Sequence, residues 1–150
     1  MYKLGMEQSI KKSITFEVVG EPKGKGRPRF TRSGHTYTPQ ATKDYERHIS
    51  QAAFVAMVEA GYTVTDRPVV VDLLAEMPIP KSWTKKRQLT ASMDGEKPKK
   101  PDIDNVLKAA LDACNGIVYH DDAQVHVVTA RKRYAQDGSQ GRLVVSIAWT

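Results

Sequence analysis

The run PVVVDLLAEM at residues 68–77 limits most sharply what this 150-residue chain can fold into. Val69, Val71, Leu73, Ala75 and Met77 alternate on one side of an extended segment, and Val70 and Leu74 add apolar groups to the other. A strand that is apolar on both sides belongs inside a sheet, so the run predicts a central strand. Pro78 and Pro80 stop it, because neither can donate to a sheet ladder. Its neighbours must be found elsewhere in the chain. Ile14, Phe16 and Val18 alternate with Thr15 and Glu17, the pattern of a half-buried strand. Two more strands are predicted at Val125–Tyr134 and Arg142–Trp149, separated by a DGSQG turn.

Two helices supply the cover. Thr38 is placed to cap the first, with Pro39 at its first position and Gly61 as its stop. Tyr45, Ile49, Ala52, Ala53, Ala56 and Met57 form its apolar face. The second runs from about Asp104 to Asn115, with Val106, Leu107, Ala110, Leu111 and Cys114 on one side, and Gly116 following. Ile117–Tyr119 reads as a short extended piece, and Ser82–Met93 as a short basic helix. The fold class is therefore α+β: a single domain with a mixed β-sheet packed with two main helices. Residues 1–13 read as a flexible extension without the apolar core of a secretory signal, and 14–150 as the domain. No apolar run is long enough to cross a membrane. A lone Cys114 excludes a disulfide framework and a multi-cysteine zinc site. These features predict a cytoplasmic location.

Charge separates along the chain. The formal net charge is +6. Residues 20–32 carry Lys23, Lys25, Arg27, Arg29 and Arg32 against Glu21 alone. Residues 81–100 carry seven basic residues, among them Lys97, Lys99 and Lys100, against Asp94 and Glu96. Residues 101–126 reverse the sign, with Asp102, Asp104, Asp112, Asp121 and Asp122 against Lys108. Basic loops of this kind follow phosphates and release counterions. Carboxylates among them would repel the same phosphates unless a cation lay between. Oxygen-only clusters suit Mg²⁺, or Mn²⁺, rather than zinc, and such ions assist phosphodiester hydrolysis.

Each acid also has a structural reading. Asp104 serves as a helix cap, Asp121-Asp122 as a turn, and Asp112 as an i, i+4 surface partner of Lys108. Capping and metal binding compete for the same oxygens. The single residues do not decide between these readings; the gathering of five acids in one stretch of a basic chain favours chemistry. Other side chains are assigned plainer roles. Cys114 is a small core residue, His120 a solvated residue beside a turn, and Trp83 a packing residue under the basic insert. Arg131, Lys132 and Arg133 either reach phosphate or protect a sheet edge.

The stretch KKPDIDNVLKAALDACNGIVYHDDAQV resembles the signature of the RusA family of Holliday-junction resolvases, found in bacteria and their phages. GEPKGKGRPRF, YTPQATKDYE and VDLLAEMPIP extend the likeness over about residues 14–149. The resemblance implies a Mg²⁺-dependent endonuclease that acts on four-way DNA junctions by paired nicks, as a homodimer. On that likeness Asp102, Asp104 and Asp122 match the essential acids, which hold the metal, and Lys108 matches an important lysine. Asp121 and Asn105 match further motif positions, at the metal or just behind it. Lys23, Lys25, Arg27, Arg29, Lys97, Lys99 and Lys100 are the expected DNA-binding set. Two rivals stand beside this reading: a nuclease for other branched DNA, and a basic DNA-binding or accessory protein without activity. An RNA-binding module is weaker, since no aromatic-rich strand of the required kind is present.

Overall fold

The computed structural model describes residues 11–26, 29–37 and 39–150, with Arg29 described by its backbone alone. Thr38, Arg27, the Arg29 side chain and residues 1–10 of the expected extension lie outside the described residues. In chain order the elements are β1 (Lys12–Val19), β2 (Arg29–Phe30), β3 (Thr36–Tyr37), α1 (Gln40–Ala60), β4 (Val69–Met77), α2 (Lys85–Ser92), α3 (Ile103–Ala113), a 3₁₀ turn (Asp122–Gln124), β5 (Val125–Tyr134) and β6 (Arg142–Trp149). β2 and β3 form a small separate ribbon. The main sheet has the order β1-β6-β4-β5 and is mixed, with β4 parallel to β5 and antiparallel to β6, and β6 antiparallel to β1. The α+β class is as expected, and β4 is indeed internal.

One face of the sheet carries the core. Ile14, Phe16 and Val18 of β1, Leu143, Val145, Ile147 and Trp149 of β6, and Val69, Val71, Leu73, Ala75 and Met77 of β4 are all buried. α1 lies over β1 and packs on α3 through Tyr45, Ile49, Ala53 and Met57. α3 contributes Val106, Ala109, Ala110 and Ala113, a face of small residues that lets the helix sit close. Cys114 is buried beside it, and burial alone pushes its thiol up to about 12, so it is an inert core residue. Trp83 packs edge-on to Tyr134 at 5.4 Å between ring centroids, with the Arg87 guanidinium 3.5 Å over its ring centroid.

Several boundaries differ from the sequence reading. Lys12 and Ser13, expected in the extension, already pair with Trp149 and Ala148. Pro39 occupies the cap position of α1 rather than its first turn, and its carbonyl accepts from Thr42 and Lys43. Gly61 ends α1 in the left-handed conformation at φ 73°, as a glycine allows. Ile117 and Val118 lie in a turn rather than an extended piece, and Tyr119 makes isolated bridges to Thr65 and Asn115. Val118 and Tyr119 are fully buried there, so the chain is drawn into the core instead of along an edge.

The other sheet face is open, and its polar groups pair across strands. In one row, set by the register, β6 Arg142 lies beside β4 Glu76, and Glu76 beside β5 Arg133. Glu76 is only 6% exposed. Its Oε1 accepts from Arg142 Nε at 2.6 Å and its Oε2 from Arg133 Nε at 3.0 Å. Arg142 also reaches Glu17 at 3.0 Å. Desolvation pushes the Glu76 carboxyl up, but the two arginines more than offset it and leave it below the ordinary glutamate value. A carboxyl depressed in the folded state stabilises above the unfolded pKa and loses that contribution as pH falls through the folded one. We therefore expect Glu76→Ala to lower stability by about 1–3 kcal/mol at pH 7. Urea titrations should show the gap between the variant and wild type narrowing below pH 4.

Candidate active site

The acidic stretch begins where α3 begins. Asp102 occupies the N-cap position, yet its side chain makes no capping hydrogen bond. Asp104 lies in the first turn, and its Oδ1 accepts only the neighbouring Asn105 N–H at 3.0 Å. Both are exposed. The helix dipole favours negative charge there, but neither carboxylate is consumed by a cap. The capping account of Asp104 is thus set aside by its position two residues past the N-cap.

A glycine brings the basic loop onto this helix. A Cβ on Gly24 would lie 2.9 Å from Asn105 Cβ and 3.3 Å from Pro101 Cβ, so only glycine passes so close. The Lys25 N–H then donates to the Asn105 carbonyl at 3.0 Å, and the Gly26 N–H to Thr42 Oγ1 at 3.0 Å. From this anchor Lys25 runs along α3. Its ammonium donates to Asp112 Oδ2 and lies 3.2 Å from Glu46 Oε1 of α1. The Asp112 contact raises the Lys25 pKa first, desolvation opposes it, and Glu46 adds to the rise. The expected Asp112–Lys108 surface pair is not the one formed; Asp112 takes its cation from the loop, because Gly24 delivers Lys25 there.

At the other end of α3 the chain returns through the buried Tyr119, whose hydroxyl donates to the Leu111 carbonyl at 2.6 Å. Asp121 caps the 3₁₀ turn. Its carboxylate accepts from Ala123 N–H at 3.0 Å, and Gln124 Oε1 receives the Asp121 N–H at 3.1 Å. Asp121 is therefore structural here. Asp122 is left over and half-buried, close enough to Asp112 to feel its charge. Desolvation first, then the charges of Asp121 and Asp112, hold the Asp122 carboxyl above its usual value.

The acids thus fall into two groups. Asp102 and Asp104 sit at the start of α3; Asp112 lies eight residues beyond Asp104, about 12 Å of helical rise away, with Asp122 of the 3₁₀ turn near it. Lys108 is exposed between them. Among the described residues no three His, Cys, Asp or Glu side chains gather closely enough to hold a metal ion. The donor chemistry suits a hard divalent cation, but in this arrangement Asp102, Asp104 and Asp122 do not form one three-ligand site. His120 is exposed, with its backbone N–H donated to Gln124 at 2.8 Å.

The expected DNA-binding residues divide likewise. Lys23, Lys99 and Lys100 are exposed, and Lys97 is paired with Asp94. Lys25 is turned inward, as described. Lys97, Lys99 and Lys100 line one of two clefts that flank Pro78, and Lys81 and Lys85 line the other. Of the three basic residues late in the chain, Arg133 belongs to Glu76. Lys132 donates to the backbone carbonyls of Lys99 at 3.0 Å and Pro101 at 2.9 Å, and so fixes the approach to Asp102. Arg131 remains exposed. The roles of Lys25 and Lys132 had no signal in the sequence beyond Gly24 and the proline before Asp102.

A carboxyl whose pKa is raised by folding opposes the folded state once it ionises. Asp122→Asn should therefore raise the urea midpoint at pH 7 relative to wild type. The gap should close as pH falls below the ordinary carboxylate range, where Asp122 is protonated in both states. An unchanged midpoint at pH 7 would show that Asp112 and Asp121 do not crowd it.

Comparison with known proteins agrees with the motif. No helix among the described residues is long and apolar enough to cross a membrane. The chain is 35% identical over 130 residues to the Uncharacterized protein YqaN of Bacillus subtilis (strain 168), an alignment that covers 83% of this chain and 89% of that protein. The family model described as Endodeoxyribonuclease RusA matches residues 19–148, a span that contains β4, the loop carrying Lys25, and every acid of both groups. The chain belongs to the RusA family of endodeoxyribonucleases.

Proposed function

We propose that this nuclease cuts four-way DNA junctions by paired nicks, with Mg²⁺ as its metal and Mn²⁺ as a substitute, and that two copies act together. The observation that carries the reading is Asp102 and Asp104: two carboxylates at the start of α3, exposed, uncapped, and bordered by lysines. A protein that only bound DNA would gain nothing from placing bare negative charge beside its phosphate-binding loops.

The residues take the following parts. Asp102 and Asp104 would hold a divalent ion beside the scissile phosphate, where it would supply an activated water and offset charge. Lys108, one turn beyond Asp104, donates to charge that develops on the phosphate. Asp122 is the third acid. Asn105 holds the Lys25 backbone through its carbonyl, and Asp121 holds the turn that presents Asp122. Lys23, Lys99 and Lys100 follow the DNA backbone, and Lys97 joins them when it leaves Asp94. Arg27 and Arg29 belong to the same basic loop by sequence. A four-way junction has approximate two-fold symmetry and needs two cuts, which a symmetric pair of single-site subunits supplies. A bacterial or phage-encoded, cytoplasmic setting fits such a substrate.

The test is cleavage of a synthetic four-way junction, a flap and a plain duplex in Mg²⁺, Mn²⁺, Ca²⁺ or no divalent metal. Wild type should cut the junction best and only with Mg²⁺ or Mn²⁺; Asp104→Asn should lose at least about a hundredfold in rate while binding the junction still. Equal cutting by Asp104→Asn would remove the site assignment. Better cutting of the flap would make this a nuclease for other branched DNA. Salt-sensitive binding without cutting in any metal would mark an accessory protein. In the same binding assay, Lys99→Ala and Lys100→Ala should each reduce the slope of log affinity against log salt by about one.

A further inference from the structure

The segment from Pro78 to Lys100 carries more than basic charge. The cleft that it forms beside Met77 and Tyr134 has a volume of about 590 Å³, a size that takes a small ligand such as one nucleotide. A flat platform is built into its wall. Gln88 Nε2 donates to the Trp83 carbonyl at 3.0 Å, and Tyr134 stands edge-on to the Trp83 ring, so the indole is held in place. The Arg87 guanidinium lies 3.5 Å over the centroid of that ring. Glu96 fixes the guanidinium in its plane: Nε donates to Oε1 at 3.1 Å and Nη2 to Oε2 at 2.8 Å. One face of Arg87 is thus covered by Trp83, and its edge is satisfied by a carboxylate. The side chain is still 51% exposed, which leaves its second face to the cleft that it lines. An arginine whose charge is already paired is a poor grip for phosphate. It remains a good surface for a base, because bases stack on guanidinium planes as they do on aromatic rings.

The cleft also leads to the acids. Lys99 and Lys100 stand exposed on its rim, and Lys132 pins the carbonyls of Lys99 and Pro101. Lys100 precedes Asp102 by two residues, at most about 7 Å of chain, which matches the axial rise of about two nucleotides along one strand. A strand with a phosphate at Asp102 and Asp104 would pass these lysines and bring a neighbouring nucleotide to the cleft. In a continuous duplex that base has both faces covered by its neighbours and cannot use the platform. At a branch point the stack is interrupted and a base is free to turn out.

We propose that the cleft between Trp83 and Lys100 binds one unpaired nucleotide next to the cut, its base stacked on Arg87 and its phosphates at Lys99 and Lys100. The inference rests on the branched-DNA reading above and deepens it: recognition of the branch belongs to the 78–100 segment, apart from the acids that cut.

The test is a binding cycle without divalent metal, so that it stands apart from cleavage. The probes are a synthetic four-way junction, the same junction with abasic nucleotides at the branch point, and a continuous duplex, each read by fluorescence anisotropy. Removing the branch-point bases should weaken wild-type binding about tenfold. Arg87→Ala should weaken binding of the intact junction by a similar factor and lose nothing further on the abasic one. Arg87→Lys keeps the charge but not the plane, and should behave as Arg87→Ala does. A merely structural loss, through Trp83 or Glu96, would weaken both junctions equally and would overturn the proposal. Wild-type binding indifferent to the abasic nucleotides would overturn it too, as would the same coupling to Arg87 in the continuous duplex. Coupling in a junction that wild type does not cut in Mg²⁺ would support the nucleotide site and remove the nuclease reading; cutting without coupling would do the reverse.

Discussion

The parallel pairing of β4 with β5 governs everything else in the molecule. Two parallel neighbours cannot be joined by a tight turn; the chain must leave one end of the sheet and come back to the other. Here residues 78–124 make that journey, and they contain α2, the second basic segment, α3 and all five clustered acids. The crossover lays α3 over the sheet beside α1, and small residues on its inner side keep it close. Its outer flank is left to the acids. Asp102 and Asp104 are thus carried by a helix whose position is fixed by β4 and β5, not by a free loop.

Within this frame the charges form a graded system. Negative charge at the start of α3 is tolerated because the helix dipole favours it and Lys132 stiffens the preceding turn. Negative charge two turns on is tolerated because Lys25 is brought to it by a loop that glycine lets through. The first group is open to an added cation, and the second is already supplied with one. Glu46 and Asp112 therefore have a structural claim on Lys25 that a phosphate would have to compete with. A count of basic residues overstates the charge available to DNA, since Lys25, Lys97, Arg133 and Arg142 are engaged within the chain.

Periodicity made most of the fold readable. The alternation in β1, β4 and β6 and the inner faces of α1 and α3 follow directly from which side chains must leave water. The turn at Ile117 and Val118 was not readable, because apolar residues satisfy a strand and a buried turn alike. The acids were readable as a group but not as partners. Sequence spacing placed Asp112 with Lys108 on one helix, while the actual contact is made by Lys25, 87 positions away in the chain. Asp121 and Asp122 are adjacent and look alike, yet Gln124 makes one a cap and frees the other.

The Lys132 ammonium bears on how any mutational scan of this surface is interpreted. It sits on a strand rich in arginine and lysine, where a loss of cleavage on substitution would ordinarily be credited to a missing grip on nucleic acid. Its hydrogens are given instead to two peptide oxygens just upstream of Asp102. Truncating it would loosen the segment that leads into α3 more than it would change the grip on nucleic acid, so an affinity measurement and a turnover measurement on that single variant would disagree.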